Sequence, residues 1–476
     1  MTDNKIIHKD NPDSLHYLGR IKKAKKGISS LTYENNQFIN FGSIPLFYND
    51  SHIVEVPQAL RQIIHRIHLT ELRIINQAPA VAIDQIYLLL SMFSGSCIRS
   101  IKGEGKGKYV SLSTKYLQTL FGKIKNKNVY LKILEVLQHH KILFLHKKYS
   151  VGRFNNVYYL HDRHLCGTYI HKMKSIIGKT LLSNLYTKKY EEAIENPISS
   201  HLMQSYQYIT LPDKSTLEGI GKQLAKDKET TNKGKLYTWK GNKTRDHWKE
   251  PKRRAFIEDH IKAFELLTSK EHTQSGFMLP MPSGIRGGGR VVDSFTLCPS
   301  WIRKEIKIKK GKITELDFKC LHPNLAVNIY APEKEKKNIT HDIAAKYLEI
   351  DRGAAKNEHL SFFNKPVTFL KLYGQDYIPG MNNSPLWKYY QDNYPEMMKA
   401  ISKDKKLYGY RITSQRLLQA ETKIMTSIIK ELNILSVPCI YVYDALYVQE
   451  SKADQVRKIM NNTSRDMGIL TTVKQP

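Results

Sequence analysis

Between Lys312 and Val448 three separated signals follow one another, and together they restrict this chain more than any other feature. The first is an apolar run closed by an acid, Ile313-Thr314-Glu315-Leu316-Asp317-Phe318. The second is Lys365-Pro366-Val367-Thr368-Phe369-Leu370-Lys371-Leu372-Tyr373-Gly374. The third is Ile440-Tyr441-Val442-Tyr443-Asp444-Ala445-Leu446-Tyr447-Val448. The first and third are β-branched and aromatic runs with an aspartate at or near the strand end, the pattern of two buried strands that present carboxylates at a common edge. Two such carboxylates form a hard-oxygen site suited to magnesium. In the second, Lys365, Phe369 and Tyr373 fall at i, i+4 and i+8, so the spacing predicts one face of a helix, with Gly374 allowing a turn directly after it. A cation and two rings on one stripe suit a triphosphate and a stacked base. Each signal alone also has an ordinary explanation: an aspartate closing a strand is commonly a turn former, and the Lys/Phe/Tyr stripe is also that of a half-buried amphipathic helix. Their conjunction in one order favours a nucleotide-handling site.

The order and spacing resemble the palm and fingers of family A polymerases, the group of bacterial DNA polymerase I and the single-subunit phage RNA polymerases. The family's Lys-x3-Phe-x3-Tyr-Gly pattern is matched at Lys365, Phe369, Tyr373 and Gly374. Asp317 with Phe318 resembles the first metal-binding aspartate and the carbonyl beside it, and Asp444 the aspartate of the family's His-Asp turn. Gly289-Arg290 is similar to the segment that contacts primer and template, Thr340-His341-Asp342-Ile343 to a stretch between the first two motifs, and Gln419 with Glu421 to a glutamine-bearing helix. The resemblance covers roughly residues 280–476. It implies a template-directed nucleotidyltransferase, most simply a DNA polymerase, that uses Mg2+ on Asp317, Asp444 and the Phe318 carbonyl. Its substrates would be a DNA primer-template and dNTPs. Lys365 would meet the triphosphate, Phe369 and Tyr373 the incoming sugar and base, Arg290 and Arg303 the primer-template backbone, and Gln419 a base edge. The sequence departs from the family at Tyr443 and Ala445, where His and an acid are usual, and at Ser361, where an Arg is common. His322 stands where the DNA polymerases carry the Glu that excludes a ribose hydroxyl, which leaves open a primase or RNA polymerase. Ala445 leaves open a catalytically dead, DNA-binding replication initiator.

The 476 residues include 75 Lys and Arg against 44 Asp and Glu, a formal net charge of +31. That excess points to a polyanionic partner. The longest apolar stretch, around Ile86–Phe93, is too short to span a bilayer. The N-terminus is too polar for a signal peptide, so no membrane partner and a cytoplasmic location are expected. Cys97, Cys166, Cys298, Cys320 and Cys439 form no Cys-x2-Cys pair, which argues against a disulfide framework or a zinc ribbon. His161, His164 and Cys166 offer three potential ligands without a fourth and read as structural.

Four segments follow. Residues 1–75 are a basic N-terminal segment. In 76–165 the pattern predicts helices over Ile83–Phe93, Ser113–Phe121 and Asn128–His140, and strands at Tyr109–Leu112, Ile142–Leu145 and Val157–Leu160. This order is that of a winged helix-turn-helix, with Lys147, Lys148 and Arg153 on the wing against a duplex backbone. Residues 166–282 read as a basic, thumb-like helical region with an exposed loop over Lys226–Lys249. Residues 283–476 read as palm and fingers, entered through Ser283–Gly289, four glycines in seven residues, where the chain flexes or backbone must approach nucleic acid closely. The expected fold class is α+β, a right-hand polymerase (palm, fingers, thumb) preceded by a small winged-helix domain. No Asp-x-Glu exonuclease signature precedes the thumb, so no proofreading domain is expected. A winged helix joined to a compact polymerase suggests a replication protein of a plasmid, phage or other mobile element, by analogy of architecture.

Overall fold

The computed structural model describes residues 52–93, 109–124, 126–148, 155–161, 164, 168–226, 250–269, 276–284, 287–370 and 377–474. It is a mixed α/β, helix-dominated protein whose described sheets are small and antiparallel. Arg153, Cys166, Tyr373, Gly374 and most of the expected loop over 226–249 lie outside the described residues.

The amino-terminal half builds one core. Strand β1 (Ile53–Pro57) leads into helices α1 (Leu69–Ile75) and α2 (Pro79–Ser91), the latter with Pro79 at its first turn, where a missing N–H costs nothing. Strand β2 (Tyr109–Leu112) precedes α3 (Thr114–Phe121), capped by the Ser113 hydroxyl, which accepts from the Tyr116 N–H. Helix α4 (Val129–His139) then buries Val129, Ile133, Leu134 and Leu137. Strands β3 (Leu143–Lys147) and β4 (Asn156–Leu160) close a three-stranded sheet of order β2-β4-β3. Strand β5 (Thr168–Lys172) returns to pair with β1, and helix α5 (Ile176–Glu195) contributes Leu182 to the same core. This core runs from Val54 to Leu182, so the expected boundaries at residues 75 and 165 cut through it. The β1–β5 pairing joins segments more than a hundred residues apart, a long-range contact that local periodicity does not encode.

Helix α6 (Pro197–Ser205) belongs to a second, larger core, as do Tyr206 and nearly everything beyond Phe277. Helices α7 (Lys214–Lys226) and α8 (Glu250–Leu267) form a side arm. The stripe Ile257, Ile261, Phe264 and Leu267 is buried, with the first three packed near Leu217, Trp301 and Ile302. In the second core, strand β6 (Ile313–Asp317) is followed by α9 (Leu321–Tyr330), α10 (His341–Leu348) and α11 (Arg352–Phe362). Helices α12 (Leu386–Asn393), α13 (Pro395–Tyr408) and the long α14 (Ile412–Ile434) lead to strands β7 (Cys439–Val442) and β8 (Ala445–Gln449), and α15 (Ala453–Asp466) follows. The sheet order is β6-β8-β7, and central β8 is buried over Ala445–Val448 as its apolar run requires. Helix α14 packs on α6 and α9. The glycine-rich segment meets the protein itself: Gly288, at φ +69°, lies so close to α14 that a Cβ there would sit 2.4 Å from that of Leu418.

No helix among the described residues is long and apolar enough to cross a membrane.

Candidate active site

Register brings the two aspartates together. Asp317, the last residue of β6, pairs with Ala445, the first residue of β8. Asp444 immediately precedes Ala445 in the two-residue turn between β7 and β8. Tyr443, the other turn residue, has φ +61°, a left-handed conformation that costs a non-glycine residue ~1–2 kcal/mol. The Arg290 guanidinium lies 4.6 Å from the Tyr443 ring centroid and helps hold the strained turn. Phe318 is buried behind Asp317 and bridges to Val473 of the C-terminal segment, whose Lys474 pairs with the Asp317 carboxylate.

A third carboxylate lies underneath. Glu421, fully buried on α14, accepts from Arg290 Nε at 2.6 Å and stands 2.7 Å from His322 Nε2, with Arg290 Nη2 also paired to it. Burial pushes its carboxyl up, but hydrogen bonds from His322 and Arg290 outweigh that and hold it below the usual range. At Asp444 the balance is reversed, and the lowering effect of His322 and of a backbone hydrogen bond is outweighed. Burial, then the charges of Glu421 and Asp317, push its carboxyl up to about 7. The site therefore concentrates more negative charge than its own cations neutralise at Asp444.

Asp317 and Asp444 open into a cleft of about 740 Å³, within the size range of small-molecule sites. Arg290, Lys319, Arg352, Lys356 and Lys474 line it, with His322, His341 and His359. Arg352 and Lys356 stand one helical turn apart on α11, whose N-terminus is capped by Asp351 accepting from the Ala354 N–H. Burial, with nearby positive groups, pulls the imidazoles of His341 and His359 down to about 4, so both are neutral near pH 7.

The expected helix through Lys365, Phe369 and Tyr373 does not form over its described part. Helix α11 ends at Phe362, Lys365 to Phe369 are bends and irregular chain, and Leu370 forms an antiparallel bridge to Ile378. Pro366 is the reason, because it disfavours α geometry at Lys365 and lacks the N–H a continuing helix needs. Lys365 Nζ bonds Glu358 Oε2 at 3.0 Å rather than lining the cleft, and Phe369 is 64% exposed against Tyr377. The turn after α11 is pinned by the buried Lys405, whose Nζ donates to the carbonyls of Phe363, Lys365 and Tyr410 at 2.7–2.9 Å. The cations the structure brings to the cleft from this region are Arg352 and Lys356. Their i, i+4 spacing, with Leu360 at i+8, is the sequence signal for this cationic face, just upstream of the Lys365 motif.

Arg303 also differs from expectation. Its Nη1 donates to the carbonyls of Phe295 and Cys298 at 2.9 and 2.8 Å, so it holds a loop of its own chain. Gln419 is exposed on α14, next to cleft-lining Leu418. His322 does line the cleft, held by Glu421, a role sequence reasoning did not assign to Glu421. On the amino-terminal unit, Lys147 ends β3 and Lys148 follows it, both exposed.

No family model matches the chain, and no curated protein matches it in sequence. Among solved structures, it is similar to the POL domain of Pol1 from M. smegmatis in complex with DNA primer-template and dNTP. The identity is 9%, over 63% of this chain and 75% of that one, with a TM-score of 0.34. At that score the likeness decides neither fold nor activity.

Proposed function

We propose that this protein is a template-directed nucleotidyltransferase, a DNA polymerase that extends a primer in the cleft headed by Asp317 and Asp444. The observation that carries the reading is the pairing of these two aspartates at one sheet edge, beside a buried third carboxylate and facing a wall of cations. The donor set fits magnesium: two aspartates and a backbone carbonyl next to them are hard oxygens, and the raised Asp444 carboxyl marks charge that a divalent cation would relieve. Asp317, Asp444 and the Phe318 carbonyl would hold it. When bound, magnesium would supply there the acidification of the primer 3′ hydroxyl and charge stabilisation of the leaving pyrophosphate.

The chain's own residues do the rest. Arg352 and Lys356, fixed on a capped helix, receive the triphosphate and meet the charge that develops on it without reorganising. This gives them the role that the resemblance assigned to Lys365. Glu421 holds Arg290 and His322 at the cleft, where Arg290 backs the Tyr443-Asp444 turn. His322 faces the incoming sugar, so its choice of ribose or deoxyribose is read by the same assay.

The amino-terminal unit is, in this reading, a winged helix that binds duplex DNA. Its support is the order α2-β2-α3-α4-β3-β4 with sheet order β2-β4-β3. Helix α4 would enter the major groove, with Lys147 and Lys148 on the backbone. Together the two halves suit a replication protein of a mobile element.

Extension of a labelled primer on a DNA template with magnesium, with dNTPs and NTPs offered separately, tests the reading. Extension by the wild type and none by Asp317→Ala, with duplex binding retained, is expected. No extension in any lane moves the assignment to a DNA-binding initiator without catalysis.

A further inference from the structure

Outside the carboxylate cleft, the contact between α1 and the end of α4 gathers three side chains with metal-ligating chemistry and no part in the proposed reaction. His139 Nδ1 lies 2.9 Å from Glu71 Oε1, and His140 Nε2 lies 3.0 Å from Glu71 Oε2. One ligand atom from each of the three residues falls within 4.8 Å of the others. Zinc bonds nitrogen and oxygen at about 2.0–2.2 Å, so the corners of a tetrahedral zinc site are about 3.3–3.6 Å apart. Each His–Glu pair would need to part by only about half an ångström to reach that spacing, and the two imidazole nitrogens lie within 4.8 Å of each other.

The geometry has local causes. Neighbouring residues on a helix point about 100° apart, and two consecutive histidines ordinarily could not share a ligand. His139 is the last helical residue and His140 has already left the helix, at φ −78° and ψ 8°. The two rings also turn different nitrogens, Nδ1 and Nε2, toward Glu71. Glu71 is oriented by the capping box of α1, in which its Oε2 accepts from the His68 N–H at 3.3 Å. The His139 side chain is 74% exposed while His140 and Glu71 are 24% and 22% exposed, which leaves a solvent side where water completes the shell.

We propose that Glu71, His139 and His140 form a zinc site that clips α1 to the C-terminal end of α4. Two imidazoles and one carboxylate select a borderline transition metal, whereas magnesium prefers an all-oxygen shell. The site is independent of the nucleotidyltransferase reading and uses none of its residues.

The test uses the full chain without a histidine tag, loaded with Zn2+ and dialysed against excess Mg2+, which occupies the hard-oxygen aspartates. About one zinc per chain should remain by elemental analysis, and Co2+ in its place should give the visible absorption of a nitrogen-ligated, low-coordinate ion. Both signals should be lost in His139→Ala and in Glu71→Gln. Zn2+ should raise the melting temperature of the wild type and not of His139→Ala. His139 is largely exposed, so that variant should keep its fold, which the circular dichroism melt reports directly. A wild type that retains no zinc, or variants that retain as much as the wild type, would overturn the site; the second outcome would put the ion on other histidines.

Discussion

Asp444 sets the stability and the activity of the site against each other. Its carboxyl is pushed up to about 7, from an ordinary value of 3.8, by burial, Glu421 and Asp317. An acid whose folded value is raised costs stability as pH rises from the unfolded value to the folded one, and above that the full cost stands. Without divalent cations, Asp444→Asn should therefore melt several degrees above the wild type at pH 8, with the gain shrinking as pH falls from 7 toward 4. The same variant should not extend primers. A melting difference that is constant across this range would refute the charge clustering inferred for Asp444. A second contrast at this scale separates the two lysines near α11. Lys356 lines the cleft, while Lys365 is engaged by Glu358. Lys356→Ala should raise KM for nucleotide about tenfold or more, corresponding to loss of one charge-assisted contact of about 1.5–3 kcal/mol. Lys365→Ala should leave KM near the wild-type value, and steady-state kinetics on a primed template decides between them. The placement of Asp317 and Asp444 at neighbouring strand ends was legible in the sequence, because strand-end acids carry a local signal. The role of Glu421 was not, since its importance comes from Arg290 and His322, 131 and 99 residues away in sequence.

At the scale of elements, the amino-terminal unit depends on one buried carboxylate. Asp84 on α2 is 1% exposed, stands 2.9 Å from His171 Nε2 of β5, and accepts from the Ser175 N–H and hydroxyl at 2.7 and 2.6 Å. It thereby ties the start of α5 to α2. Burial pushes its carboxyl up, and the hydrogen bonds from His171, Ser175 and the Lys174 N–H outweigh this and hold it below the usual value. A depressed acid contributes stability that is present above the unfolded value and lost as pH falls through the folded one. Asp84→Ala should destabilise the protein by about 3–5 kcal/mol near neutral pH, the cost of leaving buried partners uncompensated, and denaturant melts measure it. The difference should shrink below about pH 4. The helices and strands of 109–160 were legible because their periodicities and caps are local: Ser113 caps α3, and Tyr109–Leu112 alternates as a strand. The departure from a helix over 365–370 is equally local, because Pro366 interrupts the stripe.

At the scale of the whole molecule, the +31 charge makes the proposed binding of duplex DNA testable through its salt dependence. If the exposed Lys147 and Lys148 each meet a phosphate, Lys147→Glu with Lys148→Glu should lower the slope of log affinity against log salt for duplex DNA by about 2. The extension rate at saturating primer-template should stay unchanged, because the two lysines and the cleft belong to different halves of the chain. A fall in that rate, or an unaltered slope, would argue against a separate duplex-binding wing.

The sequence by itself determined where strands end in acids, where helices start on Ser, Thr, Asn or Asp, and how far positive charge exceeds negative. These follow from backbone sterics, side-chain capping and net charge, which act over a few residues or over composition alone. Only the tertiary structure decided that β1 closes on β5, that Glu421 gathers Arg290 and His322, that Arg303 serves its own loop, and that Arg352 and Lys356 rather than Lys365 line the cleft of the two aspartates. Those outcomes depend on which distant segments bury one another, a competition among packings of the whole chain that no window of neighbouring residues contains.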